Sequence, residues 1–328
     1  MLIDHCGRAI TYLRISITDR CNLRCVYCTP PEGVEWQPHE NILRFEEIEE
    51  IVRVAASQGI RQVRLTGGEP LVRPGVVDLV QMLSEIPGID DLSLTTNGLL
   101  SEKLAHPLKK AGLKRVNVSL DTLKPEKYLR ICRGGSLDAV LNGLSAAEDA
   151  GFTPIKINTV VMRGVNDDEL MDFARLTLEN PWHVRFIELM PIENQQNWGD
   201  GFPQPGSAFI STNEIKEIIH ADGLTPVENL QGNGPARSFQ LPGAMATIGF
   251  ISPIGQHFCS ECNRLRLTAD GNLRLCLLNN IEIPVRDAMR AGKPILDILE
   301  EAMRLKPEGH SLAKKMSAHN RKMAQIGG

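Results

Sequence analysis

The chain has 328 residues, of which 42% are hydrophobic and 23% are charged, and its formal net charge is −4. This length suits one large domain with an appendage, and this balance excludes wholesale disorder. No stretch approaches eighteen consecutive apolar residues, so no transmembrane helix is predicted. Residues 1–18 lack the layout of a signal peptide. We therefore expect a cytoplasmic protein that binds neither membranes nor, given its slight acidity, nucleic acid.

The apolar pattern predicts strands that alternate with helices up to Met190. Strands are predicted over 10–19, 61–66, 91–96, 114–120, 154–161 and 184–189. Helices are predicted over 45–58, from Pro74 onward, over 101–110 with a serine cap, over 137–150 before Gly151, and over 167–178. Such alternation implies an α/β fold with a parallel sheet, either a partial (β/α)6 TIM-type barrel or a doubly wound sheet.

After Met190 this alternation stops. Residues 191–207 are rich in Pro, Gly, Gln and Asn, and they predict a loop. Beyond it we predict a helix over 212–221, strands near 237–241 and 245–251, and helices near Val285 and Ile295. We therefore expect a barrel over residues 1–220 and a C-terminal α+β domain over residues 221–328.

Six of the eight cysteines fall into two groups of three. The first triad is Cys21-x3-Cys25-x2-Cys28, the second is Cys259-x2-Cys262 followed by Cys276, and Cys6 and Cys132 stand alone as free thiols. The chain is too poor in cysteine for a disulfide scaffold, so clustered thiols indicate soft-metal chemistry. Three thiolates on a cubane iron–sulfur cluster leave one iron open to a ligand.

The residues alone leave other metal sites open. His5 and His39 are the nearest fourth zinc ligands for the first triad, although neither has zinc-finger spacing. His257 would complete a structural zinc site with the second triad. A single four-thiolate site with spare cysteines is a third option.

The end of the chain is basic. Between residues 304 and 322 it has six Lys or Arg residues, at 304, 306, 314, 315, 321 and 322, against one acid, Glu308. Such a segment is either a solvated basic helix or an arm that reaches an anionic site. It ends in Ile326-Gly327-Gly328 without a core-forming pattern, so we expect it to be mobile.

Together these motifs resemble a known family. The first triad with Tyr27, and Thr66-Gly67-Gly68-Glu69-Pro70, resemble two motifs of the radical S-adenosylmethionine superfamily. The segment from Gly7 to Arg14, the run from Phe258 to Arg266, Cys276 and the Gly327-Gly328 end narrow the likeness to the GTP 3′,8-cyclases. The resemblance covers nearly the whole chain. Thr29 stands where that family often has methionine, outside any ligand position.

This resemblance implies a set of cofactors and site residues. Two [4Fe–4S] clusters are expected, one on Cys21, Cys25 and Cys28 and one on Cys259, Cys262 and Cys276. S-adenosylmethionine, which the reaction consumes, is expected to bind at Tyr27, Gly68, Glu69, Ser119 and Met190. The substrate GTP is expected to bind at Arg14, Arg64, Thr95, Lys156, Arg264, Leu265 and Arg266. The pair Gly327 and Gly328 is expected to be catalytic, entering the active site without ligating a cluster.

Physical reasoning supports some of these positions. Arg14, Arg64 and Lys156 lie on predicted barrel strands, where an unpaired buried charge is costly. Arg264 and Arg266 flank Leu265, so a strand would point both guanidinium groups to one face. The paired glycines Gly67 and Gly68 allow backbone to approach a ligand, although an ordinary strand-to-helix turn would also explain them.

The resemblance also implies a reaction, that of a lyase in molybdenum cofactor biosynthesis. An adenosyl radical removes the ribose C3′ hydrogen of GTP, C3′ attacks guanine C8, and reduction gives 3′,8-cyclo-7,8-dihydro-GTP. The implied partners are an external electron donor and, through the product, the next enzyme, cyclic pyranopterin monophosphate synthase; a homodimer is left open. The alternatives are another radical enzyme, such as a peptide-modifying one, and a non-enzymatic zinc or conjugation protein.

Overall fold

The structure is a computed structural model that describes residues 1–190, 198–220, 223–227, 234–255, 257–310 and 321–327. The expected catalytic Gly328, the basic residues at 314 and 315, most of the first half of the predicted 191–207 loop, and Ala221 lie outside the described residues.

Strands and helices alternate through the first part of the chain. They are β1 (Tyr12–Ser16), α1 (Phe45–Ser57), β2 (Gln62–Thr66), α2 (Val76–Ser84), β3 (Asp91–Thr96), α3 (Ser101–Lys110), β4 (Arg115–Ser119), α4 (Pro125–Cys132), α5 (Leu137–Asp149), β5 (Ile155–Val161), α6 (Leu170–Glu179) and β6 (Trp182–Glu188). The later elements are α7 (Thr212–His220), β7 (Thr225–Pro226), β8 (Arg237–Gln240), β9 (Ile248–Ile251), β10 (Arg264–Leu267), β11 (Asn272–Arg274), β12 (Glu282–Pro284), α8 (Val285–Arg290), α9 (Ile295–Leu305) and α10 (Met323–Ile326).

All of these strands belong to one sheet, in the order β12-β11-β10-β1-β2-β3-β4-β5-β6-β9-β8-β7. The stretch from β10 through β1 to β6 and on to β9 is parallel throughout, whereas the strands outside it pair antiparallel. A doubly wound sheet would reverse its order at a switch point. The unbroken order β1 to β6 therefore confirms the partial barrel.

The C-terminal region adds strands to both edges of the barrel sheet. Strand β9 pairs with β6, and β10 pairs with β1. Because strand side chains alternate between the two faces, Leu13 and Ile15 pack in the hydrophobic core while Tyr12 and Arg14 face the barrel interior. The division at residue 220 stays a prediction.

Two local predictions were wrong, and one barrel helix was not predicted. Helix α2 begins at Val76 after Gly75, whose φ is +78°, so Pro74 precedes the helix. Ser101 is the first residue of α3 and is buried, so its hydroxyl does not cap the helix. Helix α4 was not predicted; its first residue, Pro125, has the fixed φ that suits a first helical turn. Among the described helices, none is long and apolar enough to cross a membrane.

Candidate active site

The first triad lies on the loop that follows β1, at the carboxyl end of the parallel strands. All three thiols are half-buried. A turn closes the loop, since the Cys28 and Thr29 amides both donate to the Cys25 carbonyl at 2.9 Å. Burial raises the pKa of Cys21 to about 12, and the neighbouring Cys25 and Glu69 add to this rise. Burial and the thiols of Cys25 and Cys21 likewise raise the pKa of Cys28. The loop thus gathers three thiols, the donor set that an iron–sulfur cluster takes.

The glycine pair after β2 packs on that loop. The Gly68 amide donates to the Thr18 carbonyl at 2.7 Å, and the Glu69 amide donates to the Arg20 carbonyl at 2.8 Å. A Cβ at Gly67 would lie 2.5 Å from the Thr18 oxygen, and one at Gly68 would overlap the Arg20 oxygen. The missing side chains therefore let the glycine turn support the cysteine loop, a role that the sequence analysis did not predict.

Glu69 is buried behind this turn, with 1% of its surface exposed. Its carboxylate accepts from Thr96 Oγ1 at 2.7 Å, the Asn97 amide at 2.6 Å and the Leu71 amide at 3.0 Å. Burial raises its pKa to about 7, although the hydrogen bonds from these three donors act to lower that pKa. A carboxylate offers about four acceptor positions, so the three donors leave room for a further contact. The expected contact of Glu69 with S-adenosylmethionine stays a prediction.

The other expected S-adenosylmethionine residues lie at the same edge of the sheet. Ser119 is the last residue of β4, and Met190 follows the end of β6. The Tyr27 hydroxyl donates to Asp121 at 2.7 Å, just beyond β4. Burial raises the pKa of Asp121 to about 6. Tyr27 therefore connects the cysteine loop to the end of β4.

The second triad lies at the opposite end of the strands. Cys259 and Cys262 flank a short turn that precedes β10, and β10 runs parallel to β1. Cys276 follows β11, which runs antiparallel to β10 and so ends at the same place. From Tyr12, which pairs with Arg264, to Ser16 the strand rises about 13 Å. The two triads thus face each other across the barrel interior.

Neither triad forms a ligand set for a single metal ion among the described residues. Among the residues that the structure describes, no three His, Cys, Asp or Glu side chains converge closely enough to hold one metal ion. His257 is exposed and contacts the ring of His310 at 5.5 Å.

A row of arginines crosses the interior between the triads. Arg14 on β1 is in register with Arg64 on β2 and with Arg266 on β10. Neighbouring strands are about 4.8 Å apart, so the row places three guanidinium groups side by side. Burial and then Arg266 lower the pKa of Arg14, while burial and Arg264 lower that of Arg266 to about 10. Such mutual repulsion in a buried site is costly unless an anion compensates it.

The arginine row lines a cavity that reaches the second triad. Its wall includes residues from both expected sites and from the sheet between them: Tyr12, Arg14, Arg64, Asn158, Arg185, Met190, Cys259, Cys262, Arg264, Arg266 and Cys276. Buried polar atoms without a hydrogen-bond partner among the described residues include Tyr12 Oη, Arg264 Nε and Asn158 Oδ1. A nucleotide carries hydrogen-bond donors and acceptors that match these atoms.

Lys156 and Arg185 continue the set of basic side chains onto β5 and β6. Lys156 is 4% exposed. Burial, then Arg185, Arg115 and Arg64, lower its pKa to about 6. Burial and Arg64 likewise lower the pKa of Arg185 to about 9. Arg185 and Tyr12 were missed by the sequence analysis, although Arg185 alternates with buried Val184 and Phe186 as an inward-facing residue would.

Three expected GTP residues, Leu265, Thr95 and Lys156, are not part of the cavity wall. Leu265 is buried in the hydrophobic core, on the strand face opposite Arg264 and Arg266, so its side chain does not reach the cavity. The expected contact of Leu265 with GTP stays a prediction, with its backbone as the candidate group. Thr95 Oγ1 accepts from Asn117 Nδ2 at 3.5 Å on the adjacent strand.

The end of the chain enters the barrel. Arg321 pairs with Asp270 at 2.8 Å and Glu282 at 2.7 Å, and Ile326 is 1% exposed against Leu278. The Gly327 carbonyl accepts from Arg266 Nη1 at 2.7 Å. Within residues 321–327, one ion-paired arginine and one buried isoleucine thus anchor a segment for which the sequence predicted mobility, and that prediction stays untested.

Lys306 also departs from the expected solvated basic segment. It is 2% exposed, and its Nζ lies 3.9 Å from Cys262 Sγ. Burial would raise the pKa of Cys262, but the charges of Lys306 and Arg264 outweigh it and lower that pKa. Counting charges along the sequence missed this residue because burial depends on the fold.

Comparisons with known proteins agree with this geometry. The family model "Radical SAM superfamily" matches residues 15–177, and "Molybdenum Cofactor Synthesis C" matches residues 182–312. The chain is 49% identical over 330 residues to the GTP 3′,8-cyclase of Petrotoga mobilis, covering 100% of both chains. It is 52% identical over 329 residues to the GTP 3′,8-cyclase of Moorella thermoacetica, covering 99% of both.

Solved structures show the same fold at lower identity. Streptococcus suis SuiB bound to S-adenosylmethionine matches with a TM-score of 0.62 and 15% identity, over 90% of this chain and 68% of that one. Methylornithine synthase matches with a TM-score of 0.50 and 21% identity, over 65% of this chain and 63% of that one.

Proposed function

The chain belongs to the GTP 3′,8-cyclase family of radical S-adenosylmethionine enzymes, and we propose on that premise that it cyclises GTP to 3′,8-cyclo-7,8-dihydro-GTP. The observation that carries this proposal is the arginine row of Arg64, Arg14 and Arg266, set between two cysteine triads at opposite ends of one barrel. A peptide substrate would not need such a row. A triphosphate would, because guanidinium forks bind phosphate oxygens in pairs.

We propose that Cys21, Cys25 and Cys28 hold the first cluster and that Cys259, Cys262 and Cys276 hold the second. When bound, the first cluster would supply the electron for cleavage of S-adenosylmethionine, and the second cluster would offer a ligand site to the base. The protein supplies position and shielding. Tyr27, fixed by Asp121, would line the S-adenosylmethionine site with Gly68, Ser119 and Met190.

Arg14, Arg64 and Arg266 would bind the triphosphate, and Arg264 would stand closer to the second triad. The guanidinium groups of Arg64 and Arg264 both contact the Tyr12 ring, and their Cζ atoms lie 5.5 Å and 5.9 Å from its centroid. Cation–π contacts of this kind hold guanidinium planes without consuming their donors. Arg64 Nε already donates to Ser93 Oγ at 3.1 Å, and its remaining N–H groups stay available for phosphate.

The end of the chain would close the site. Ile326 packs against Leu278, which lines the cavity, and Gly327 brings a carbonyl to Arg266. Excluding water protects a reactive radical from side reactions. We propose that Gly327, with Gly328, acts through this closure.

The electron donor, the next enzyme and a homodimer remain parts of this proposal. So does a cytoplasmic location, where free thiols stay reduced and able to bind iron. The split into a barrel over 1–220 and a C-terminal domain over 221–328 is likewise proposed.

Anaerobic turnover with 3′-deuterated GTP tests the proposed function. The radical takes one hydrogen from C3′, and the final reduction returns one electron and one proton, so the product has the elemental composition of GTP. It must therefore be separated by chromatography before mass spectrometry. We expect an isomer of GTP and deuterium in the 5′-deoxyadenosine. Cleavage of S-adenosylmethionine with unlabelled 5′-deoxyadenosine and unchanged GTP would overturn the proposal.

The matched control is Arg61→Ala. Arg61 is an exposed arginine beside β2 whose guanidinium donates to the Gly88 carbonyl at 3.3 Å. Its removal should leave turnover unchanged, whereas Arg64→Ala, three residues later on the inner face, should reduce it.

A further inference from the structure

The second triad has an unexpected neighbour at the end of α9. Lys306 follows that helix and buries its whole side chain, with 2% of its surface exposed. A buried ammonium group is expensive unless its protons and its charge are both satisfied. The contacts of Lys306 therefore indicate what it does.

The Lys306 ammonium joins the two segments that carry Cys262 and Cys276. Its Nζ donates to the Arg264 carbonyl at 2.8 Å and to the Leu275 carbonyl at 2.7 Å. Leu275 directly precedes Cys276, and Arg264 lies two residues after Cys262. One side chain thus fixes the backbone beside two of the three thiols.

The same ammonium faces sulfur. The distance from Nζ to Cys262 Sγ is 3.9 Å, and among the described residues its other contacts are the two carbonyls. The two carbonyls and the sulfur accept its three protons, but the carbonyls are dipoles without net negative charge. A cluster held by thiolates would supply the missing negative charge.

A second cation, Arg8, fixes the backbone of Cys259, which carries the third thiol, to the residues that follow Lys306. Arg8 donates to the carbonyls of Cys259, Pro307 and Glu308, each at 2.7 Å, and its Nε donates to Asp4 at 2.7 Å. Arg8 therefore ties the residues after Lys306 to the Cys259 backbone. Because Asp4 pairs with Arg8, the charge of Arg8 is largely compensated, whereas that of Lys306 is directed at sulfur.

We propose that Lys306 is a positioning residue of the second iron–sulfur site, which holds Cys262 and Cys276 in place and raises the reduction potential of the cluster by its fixed positive charge. A nearby cation favours the reduced, more negative form of a cluster. This inference rests on the proposed function, because it assumes a cluster on the second triad.

The test uses the full chain with Cys21, Cys25 and Cys28 replaced by alanine, so that only the second site can hold iron. Lys306→Gln keeps N–H donors for the two carbonyls and removes the charge. Lys306→Met removes both. Arg304→Gln, two residues earlier and exposed, is the matched control. After anaerobic reconstitution, iron content, the midpoint potential by redox titration with electron paramagnetic resonance, and the thermal unfolding of the cluster-free protein are measured.

We expect about four irons per chain in the parent and in Lys306→Gln. The oxidised-to-reduced ratio of Lys306→Gln at a fixed potential should rise about tenfold, a shift of about 59 mV to more negative potential. Arg304→Gln should match the parent. Lys306→Met should also lower the unfolding temperature of the cluster-free protein, because two buried carbonyls lose their donor.

Parental potential in Lys306→Gln would overturn the charge effect, and parental unfolding temperature in Lys306→Met would overturn the positioning role. A parent that binds no iron would instead overturn the second-site assignment. The failure of this inference and the failure of the proposed function thus give different results.

Discussion

Replacing Gly327 by alanine tests whether the docked end of the chain is needed for turnover. Gly327 has φ +65°, and a Cβ there would lie 2.7 Å from Thr66 Cγ2 and 3.4 Å from Ser16 Cβ. The left-handed conformation alone costs alanine about 1–2 kcal/mol. The contact with Thr66 adds to this cost, since it is shorter than any ordinary carbon–carbon contact.

The interactions that hold this end are of similar size. Burial of Ile326 contributes about 2 kcal/mol, and the charged hydrogen bond from Arg266 to the Gly327 carbonyl contributes about 1.5–3 kcal/mol. A cost of the same order should displace residues near Gly327 in most molecules, while the ion pairs of Arg321 keep the preceding segment attached. We expect the rate of GTP cyclisation to fall about tenfold or more, since about 1.4 kcal/mol is tenfold in an equilibrium constant.

The assay is the initial rate of product formation, with iron content and GTP affinity measured on the same preparation. Gly292→Ala is the matched control, because Gly292 has φ +81° and open space around its Cα. It carries the conformational cost without the contact. Adding Thr66→Ser to Gly327→Ala removes the methyl group at 2.7 Å and should restore part of the rate. A Gly327→Ala protein that turns over at the parental rate would show that the docked end is passive.

Three further predictions concern the clusters and the cations. Cys262→Ala should stop cyclisation while some uncoupled cleavage of S-adenosylmethionine continues, because the first triad is untouched; cyclised product from this variant would refute the second-site assignment. Arg266→Ala should weaken binding of GTP by about 10- to 100-fold, the value of a charged hydrogen bond, and weaken guanosine binding much less; titration calorimetry with both ligands decides this, and equal losses would make Arg266 structural. GTP affinity should fall as pH rises above about 6, because the pKa of Lys156 is about 6 in the free protein and a bound triphosphate favours its ammonium form. Proton uptake on binding between pH 6 and 8, absent in Lys156→Met, would be seen by calorimetry in buffers of different ionisation enthalpy, and its absence in the parent would contradict the reasoning.

The sequence predicted the central barrel well, because each strand carries a local signal. Strand β3 has the predicted bounds, and α1, α3 and α5 differ from prediction by one residue or less at each end. Their apolar residues repeat at the period of the element they form. In α1, for example, Ile48, Ile51, Val52 and Ala55 are buried on one face.

The arrangement of the second triad could not be predicted, because it depends on pairing between distant parts of the chain. The spacing of Cys259 and Cys262 indicates a metal site but not its place on the barrel. The place of the triad is decided by the pairing of Arg264 with Tyr12, two residues that lie about 250 positions apart in the sequence. Lys306 was misjudged for the same reason: a count of charges between 304 and 322 does not reveal that a folded segment returns one of them to the cysteines.

The cost of the arginine row explains why these charges are placed where they are. Arg14, Arg64 and Arg266 stand in register on adjacent strands, where like charges repel and burial removes water. Hydrophobic residues at these positions would avoid this cost, and a bound anion would offset it. GTP at 100 times its dissociation constant would return about 2.7 kcal/mol to the folded state. The Gly327 carbonyl, which accepts from Arg266, offers partial compensation while no nucleotide is bound. The same guanidinium groups thus affect both the stability of the barrel and the binding of substrate. Arg266, which we expect to bind the triphosphate, also holds the end of the chain.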